Sequence, residues 1–131
     1  MTLFVDASAM VAMLVKEPEH FELEARFGAV DRHLYSAVSA WEASRALAKI
    51  RFVTIIEAYV EVEAFAADFR MELVSIGAAE AAIAASAYDR YGKGRHPARL
   101  NMGDCFAYAC AKTHDARLLY KGDDFSKTDL A

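Results

Sequence analysis

Acidic side chains stand at the ends of several predicted strands and helices of this chain. Asp6 directly follows the first apolar run, and Asp123 and Asp124 follow the last one. Asp104 lies at the start of one predicted helix, and Glu42 lies early in another. In open α/β sheets, ligands gather just beyond the carboxyl ends of the strands. We therefore predict that four of these carboxylates meet at one edge of the sheet: Asp6, Glu42, Asp104 and Asp123.

Such a cluster predicts a site for a hard divalent cation. Carboxylates held close together in a partly dry cleft repel one another, and this repulsion raises the pKa of at least one of them unless a positive charge intervenes. Mg²⁺ prefers oxygen ligands and is usually held by one or two carboxylates together with a substrate phosphate. The chemistry implied is therefore reaction at phosphorus, whereas peptide hydrolysis would require zinc with His ligands. The four His residues are scattered without ligand spacing, and we assign none of them to metal binding or acid–base chemistry: His20, His33, His96 and His114.

Strand-like and helix-like segments alternate along the chain. Apolar runs predict strands at residues 3–5, 33–36, 73–76 and 117–120. Helical spacing of apolar residues, with caps and breakers at the ends, predicts helices at residues 7–15, 19–27, from 38 or 39 onward, 54–70, 78–91 and 104–113, the last with Asn101 as its N-cap. In the helix at 54–70, the apolar residues at helical period are expected to form the inward stripe, and the aromatic ones to face the core: Ile55, Ala58, Tyr59, Val62, Phe65, Ala66 and Phe69. The alternation predicts an α/β fold with a mainly parallel central sheet flanked by helices on both faces.

Length and composition predict one domain over residues 1–131. The chain is 56% hydrophobic, which suffices for a core without disulfides or structural metal. Cys105 and Cys110 are five positions apart in one predicted helix, so they point to different faces and are expected to be buried thiols. The first apolar run meets Asp6 too early for a signal peptide or a membrane span, so we expect a cytoplasmic protein without membrane association.

The formal net charge of −4 at first argues against a nucleic-acid partner, since phosphate binding usually needs a basic surface. The objection weakens if several of the 19 acidic residues share a divalent cation, because the loaded site then carries much less negative charge. Basic residues near two of the acids are candidates for contacts with nucleic-acid phosphates: Arg45 and Lys49 after Glu42, and Lys93, Arg95 and Arg99 before Asp104. A solvated loop and a solvated helix face explain the same residues at least equally well.

Four segments of the chain resemble the signature segments of VapC-type PIN-domain proteins. They are residues 4–9 (FVDASA), 39–42 (SAWE), 100–109 (LNMGDCFAYA) and 118–125 (LLYKGDDF). The matches occur in the family's order from residue 4 to residue 130. The third and fourth segments are the specific ones, whereas an isolated Val-Asp-x-Ser would be common by chance.

The resemblance implies a PIN domain over residues 1–131 and a Mg²⁺-dependent or Mn²⁺-dependent endoribonuclease. It implies metal ligands at Asp6, Glu42, Asp104 and Asp123, with Asp124 as the alternative to Asp123 because that turn varies in length. Ser8 matches a position close to the acidic cluster and is expected to hydrogen bond to a ligand. A metal-activated water would then hydrolyse the RNA phosphodiester, leaving a 5′-phosphate and a 3′-hydroxyl.

The same resemblance implies the toxin half of a VapBC toxin–antitoxin pair. A VapB-like antitoxin would lay a helical segment on the surplus apolar surface of the toxin, and a homodimer would cover more of that surface. DNA would then be contacted only indirectly, through the antitoxin. The RNA substrate is expected to be structured, such as a transfer RNA.

Each acid also has an ordinary explanation. Asp6 and Asp104 could serve only as helix N-terminal acids, Glu42 could pair with Arg45, and Asp123 could lie in a surface turn. Two other functions remain open: a non-catalytic PIN partner of a DNA-binding subunit in a transcriptional repressor, and a housekeeping RNA-processing nuclease. Acids at all four positions favour an enzyme.

Overall fold

Strands and helices alternate in the computed structural model, which describes residues 1–131. The four strands are β1 (Thr2–Val5), β2 (Arg32–Ser36), β3 (Glu72–Val74) and β4 (Arg117–Leu119). The six helices are α1 (Ala7–Leu14), α2 (His20–Gly28), α3 (Ala37–Arg51), α4 (Ile55–Asp68), α5 (Ala78–Tyr91) and α6 (Met102–Thr113), and a short 3₁₀ helix follows at Phe125–Lys127. No helix combines the length and the apolar character that crossing a membrane requires.

The four strands form one sheet in the order β3-β2-β1-β4, and every pair is parallel. The predicted α/β class and the parallel sheet are therefore confirmed. Because β1 lies between β2 and β4, the carboxyl ends of these three strands lie side by side. The residue after β1 is Asp6, whose backbone N–H donates to the carbonyl of Leu119 at the end of β4 (2.9 Å).

Helices cover both faces of the sheet, as predicted, because side chains of each strand alternate between two apolar clusters. Leu3 and Val5 of β1 pack into a cluster with α1, α2, α3 and α4. Phe4, between them, packs into a second cluster with α5 and α6. Leu118 and Leu119 of β4 divide in the same way. The acidic residue that follows β1 is thus held by a strand anchored on both faces.

Hydrogen-bonded caps set where two helices of the site begin. Ser36 and Ser39 form a capping box, so α3 begins at Ala37, directly after β2 and slightly earlier than predicted. Asn101 is the N-cap of α6, as predicted, and the helix begins at Met102 rather than at Asp104. Each cap orients the first turns of a helix that carries an acidic residue of the cluster.

Candidate active site

An open cavity of about 360 Å³ lies at the carboxyl ends of the strands, between the first turns of α1, α3 and α6. We call it the acidic cleft. Three of the four predicted carboxylates line it, namely Asp6, Glu42 and Asp104. Two further acids are on its wall: Asp124, and Glu17, which pairs with Lys121. Ser8, Glu17, Ala46, Asn101 and Lys121 complete most of its wall. Positions far apart in the chain thus converge on one space.

Asp6 is the most buried acid of the cleft, with 5% of its surface exposed. It caps α1, and its Oδ2 accepts hydrogen bonds from the backbone N–H (3.1 Å) and the hydroxyl (2.6 Å) of Ser8. The Ser8 hydroxyl oxygen in turn accepts the backbone N–H of Lys121 (3.0 Å). Burial raises the pKa of Asp6 although Ser8 acts in the opposite direction, and the charge of Asp124 adds to the rise. Ser8 therefore fixes one oxygen of Asp6 and leaves the other for a ligand.

Glu42 reaches the cleft from the second turn of α3 and lies directly against α6. A Cβ placed on the buried Gly103 would come within 1.9 Å of Glu42 Oε2, so the carboxylate occupies the space that a side chain at position 103 would need. Burial, followed by the charges of Asp6 and Asp104, raises the pKa of Glu42 to about 7. Glu42 makes no ion pair with Arg45, whose guanidinium lies over the Trp41 ring instead. The importance of Gly103 was not predicted from the sequence.

Asp104 forms a capping box with Asn101 at the start of α6 and lines the cleft at the same time. Its backbone N–H donates to Asn101 Oδ1 (2.9 Å), and its Oδ2 accepts the backbone N–H of Asn101 (3.0 Å). Burial raises the pKa of Asp104 to about 7; the Asn101 hydrogen bond opposes the rise, and the charges of Asp6 and Asp124 add to it. The ordinary explanation as a helix N-terminal acid is thus correct for Asp104, and it coexists with a place in the cleft.

The turn after β4 presents Asp124, not Asp123, to the acidic cleft. Asp123 lines the neighbouring cavity, and its backbone carbonyl accepts the hydroxyl hydrogen bond of Ser126 (2.6 Å). Asp124 lines both cavities, and its charge contributes to the raised pKa of Asp6 and of Asp104. Of the two alternatives that the sequence leaves open, the structure therefore brings Asp124 into the acidic cleft, two residues after Gly122 (φ +93°).

The donor set of the cleft fits a hard divalent cation. Apart from Lys121, all the charged side chains on the wall are carboxylates, and Lys121 is engaged by Glu17 and Glu19. Oxygen-only ligands are typical of Mg²⁺ and Mn²⁺ and are unusual for zinc. No three Asp, Glu, His or Cys side chains form a preassembled metal cage. Mg²⁺ is usually held by one or two carboxylates and keeps several of its waters.

Cavities with basic walls continue the acidic cleft on both sides. On one side, Arg45 and Lys49 line a cavity of about 270 Å³ with Trp41 and Glu42. On the other side, a cavity of about 400 Å³ has three cations on its wall: Lys93, Arg99 and Lys127. Four of the five predicted basic residues therefore flank the cleft. Lys127 was not predicted, because only the 3₁₀ helix after the turn brings it to this wall.

Arg95, the fifth predicted basic residue, lines neither flanking cavity. Its guanidinium pairs with Asp89 (3.8 Å) and lies over the ring of Tyr88 (5.7 Å). Both partners belong to α5, so they hold Arg95 against that helix.

Comparison with known proteins agrees with this fold. The family model described as PIN domain matches residues 3–130. A VapC ribonuclease of Rhizobium meliloti is 42% identical, with the alignment covering 97% of this chain and 98% of the relative. Ribonuclease VapC30 of Mycobacterium tuberculosis is 39% identical over 97% of this chain and 95% of its own length.

A solved structure with the same fold is the crystal structure of Mycobacterium tuberculosis VapC20, which is described as a sarcin–ricin loop cleaving toxin. It superposes with a TM-score of 0.71 over 95% of this chain and 92% of VapC20, at 16% sequence identity. Because the PIN-domain model matches residues 3–130 and full-length VapC ribonucleases are about 40% identical, this chain belongs to the PIN-domain family and, within it, to the VapC ribonucleases.

Proposed function

We propose that this chain is a Mg²⁺-dependent endoribonuclease, with Mn²⁺ as an alternative ion, and that it is the toxin of a VapBC pair. The observation that carries the metal dependence is the convergence of Asp6, Glu42, Asp104 and Asp124 in one cleft whose only cation is already paired. Burial and mutual repulsion raise the pKa of three of these acids, because no positive charge compensates for them in the metal-free cleft.

Asp6 and Asp104 are the direct ligands in this proposal, with Glu42 and Asp124 completing the site. The bound ion would activate a water molecule and stabilise the charge that develops on the phosphodiester. Ser8 and Asn101 hold one oxygen of Asp6 and one oxygen of Asp104, respectively, which fixes both carboxylates before the ion arrives. No nucleophilic side chain is required.

The substrate in this proposal is a structured RNA, such as a transfer RNA, cut in the cytoplasm. The VapC relatives that align over nearly their full length are named ribonucleases, which supports RNA as the class of substrate. Cations on both sides of the acidic cleft support the same choice, because an RNA strand that crosses the cleft would bring its phosphates to these cations.

We also propose a VapB-like antitoxin and a homodimer as partners. An open apolar cavity of about 700 Å³ lies near Met13, Phe27 and Phe65, away from the acidic cleft. Further large apolar side chains are exposed on α2, on α4 and at the α3–α4 turn, among them Phe21, Phe52 and Ile56. Apolar surface of this extent is typical of protein interfaces. A helical antitoxin segment and a second copy of the chain would each bury part of it.

The test of metal-dependent catalysis is RNA cleavage by purified wild type, Asp6→Asn and Asp104→Asn, each with Mg²⁺, with Mn²⁺ and with chelator. We expect activity only for wild type with metal, and a loss of about 100-fold or more in each variant, because both lose a charge that holds the ion. Asp31→Asn is the matched control, since this exposed acid pairs only with the amino terminus. Equal cleavage by wild type and Asp104→Asn would contradict the proposal.

Growth arrest separates the toxin from the two other functions. A non-catalytic PIN partner would leave RNA intact, and a housekeeping nuclease would cut RNA without arresting growth when induced. We expect induced wild type to arrest growth, Asp104→Asn to be harmless, and co-expression of the antitoxin to restore growth.

A further inference from the structure

We infer that Trp41 stacks an unpaired base of the RNA next to the scissile phosphate, in a subsite that Arg45 and Lys49 complete. This inference rests on the proposed function and deepens it, because it names the form of RNA that the enzyme accepts. We call this subsite the Trp41 pocket; its wall consists of Trp41, Glu42, Arg45, Ala46 and Lys49.

The Trp41 pocket is continuous with the acidic cleft. The two cavities share Glu42 and Ala46 on their walls. Trp41 immediately precedes Glu42 on α3, so its ring lies on the neighbouring helix face, one residue away from a carboxylate of the cleft. A nucleotide bonded to a phosphate in the cleft therefore reaches Trp41 without leaving the protein surface.

Trp41 has the exposure that a stacking platform needs. Its surface is 52% exposed, although it is the largest apolar side chain of the protein. It stacks on no other aromatic ring, and its only aromatic interaction is with Arg45, whose guanidinium carbon lies 5.7 Å from the ring centre. Base stacking on aromatic rings and on guanidinium groups is the general mode of single-strand recognition.

The cations of the Trp41 pocket are free to meet a phosphate. Neither Arg45 nor Lys49 forms a salt bridge or a side-chain hydrogen bond within the chain, in contrast to Arg32, Arg51 and Lys121. Both extend from the exposed side of α3 at one-turn spacing after Trp41. An aromatic face beside two unpaired cations matches a nucleotide, which offers a flat base and a phosphate.

The two cavities beside the acidic cleft differ in a way that determines which part of the RNA each can bind. The cavity on the opposite side of the cleft, which shares Asn101 and Asp124 with it, has three cations on its wall and no aromatic ring. That side can hold phosphates without regard to base pairing. The Trp41 side can accept only a nucleotide whose base is not engaged in a duplex, so the scissile bond must lie in a loop or a single strand.

The experiment uses the full chain with Mg²⁺ and a pool of short RNA hairpins with randomised loops, with sequencing of product 5′ ends to locate the cut. One cleaved hairpin is then resynthesised with an abasic ribose on either side of the scissile phosphate. Wild type, Trp41→Ala and Trp41→Phe are compared on all three RNAs. Leu73→Ala is the control for loss of a large exposed apolar side chain, since Leu73 of edge strand β3 lies outside all three cavities.

We expect Trp41→Ala to lower kcat/KM by about 10-fold, mainly through KM, and Trp41→Phe to retain most of the activity. The abasic ribose on one side of the cut, and on that side only, should lower wild-type cleavage by a similar factor and leave Trp41→Ala unaffected. This loss of sensitivity would be a direct sign that ring and base contact each other.

Three results would overturn the inference. Trp41→Ala could cleave within a factor of about two of wild type, or fully paired RNA could be cut as well as the loop. Cleavage could also be unchanged while sedimentation shows altered self-association, which would make Trp41 a protein contact. Asp104→Asn is the separate control for the proposed function, because activity of that variant would reject metal-dependent catalysis whatever Trp41 does.

Discussion

Gly103 and Glu42 are in contact where α6 approaches the start of α3, and this contact sets the depth at which the glutamate enters the cleft. The backbone at Gly103 carries no side chain, so the carboxylate lies where a Cβ would be. A glycine in α6 or a glutamate in α3, taken alone, gives no sign of this contact in the sequence. A glycine in the first turn of a helix costs stability relative to alanine, which is tolerated here because the space is used by the acid of another helix.

Gly103→Ala should therefore damage activity without damaging the fold. The three atoms nearest to the added methyl all belong to the carboxyl end of the Glu42 side chain, which can rotate away, so we expect the melting temperature to stay the same or rise slightly. RNA cleavage with Mg²⁺ should fall by about 100-fold, because an ångström-scale displacement of a site group has a cost of that size. Full activity in a folded Gly103→Ala variant would show that the position of Glu42 is unimportant.

The raised pKa values of Glu42 and Asp104 connect the cleft to stability. A carboxyl with a pKa of about 7 in the folded state, against an ordinary value of 3.8 for Asp104, binds its proton more tightly when folded. Its contribution to stability is therefore present at low pH and is lost as the pH rises through about 7. The metal-free protein should be less stable at neutral pH than in mild acid.

Asp104→Asn tests this sign in chelator-treated protein. Compared with wild type, we expect the variant to have a higher melting temperature at about pH 8 and a much smaller advantage at about pH 5, because folding forces most of the proton uptake by Asp104 between these two pH values. Asparagine can still accept the Asn101 backbone hydrogen bond, so the cap is kept. Adding Mg²⁺ at the higher pH should stabilise wild type more than the variant. The same pH dependence in both proteins would contradict the assignment.

At the scale of elements, α4 shows where helical periodicity is an incomplete guide. Its apolar spacing predicts Tyr59, Phe65 and Phe69 in the core, but Tyr59 and Phe69 are about half exposed and Phe65 is partly buried. The stripe that packs against α3 consists of smaller residues at four-residue intervals, Ala58, Val62 and Ala66. Small side chains let two helices approach closely, and this preference excludes the aromatic residues from the contact.

The end of α5 depends on a glycine for a different reason from that of Gly103. A Cβ at Gly92 would lie 2.3 Å from the backbone carbonyl oxygen of Tyr88, which itself accepts the Gly92 N–H (2.8 Å). The following loop is tied back by hydrogen bonds between Lys93 and Leu100 and between Leu100 and Tyr91. Neither the backbone at Gly92 nor the Tyr88 carbonyl can move away from the added Cβ without breaking backbone hydrogen bonds.

Gly92→Ala should consequently lower the free energy of unfolding by about 1 to 3 kcal/mol, the usual cost of a forced overlap. Gly28→Ala provides the matched control, because a Cβ at Gly28 meets no atom within 4 Å and the backbone there suits alanine. Urea unfolding of both variants measures the difference. We expect Gly28→Ala to be neutral or stabilising, and equal destabilisation of the two would contradict the role of the Tyr88 carbonyl.

At the scale of the whole molecule, the sequence predicted the sheet, the helices on both faces and three of the acids that meet in the cleft. These features follow from apolar periodicity and from the rule that parallel strands end at one edge, so they need no knowledge of side-chain packing. Asp124, Gly103 and Lys127 depend on the path of a turn and on the separation of two helices. Such distances are set by tertiary packing and leave no periodic trace in the sequence.

Because β1 lies inside the sheet, the backbone that carries Asp6 is held more firmly than the backbone that carries Asp124. Asp6 extends from a strand hydrogen bonded on both sides and packed on both faces, whereas Asp124 belongs to an exposed turn beyond edge strand β4. Local opening of a protein begins at its least protected segments. Local unfolding would accordingly displace Asp124 more readily than Asp6, so the enzyme can lose and regain one acid of its cleft while the rest of the molecule stays folded.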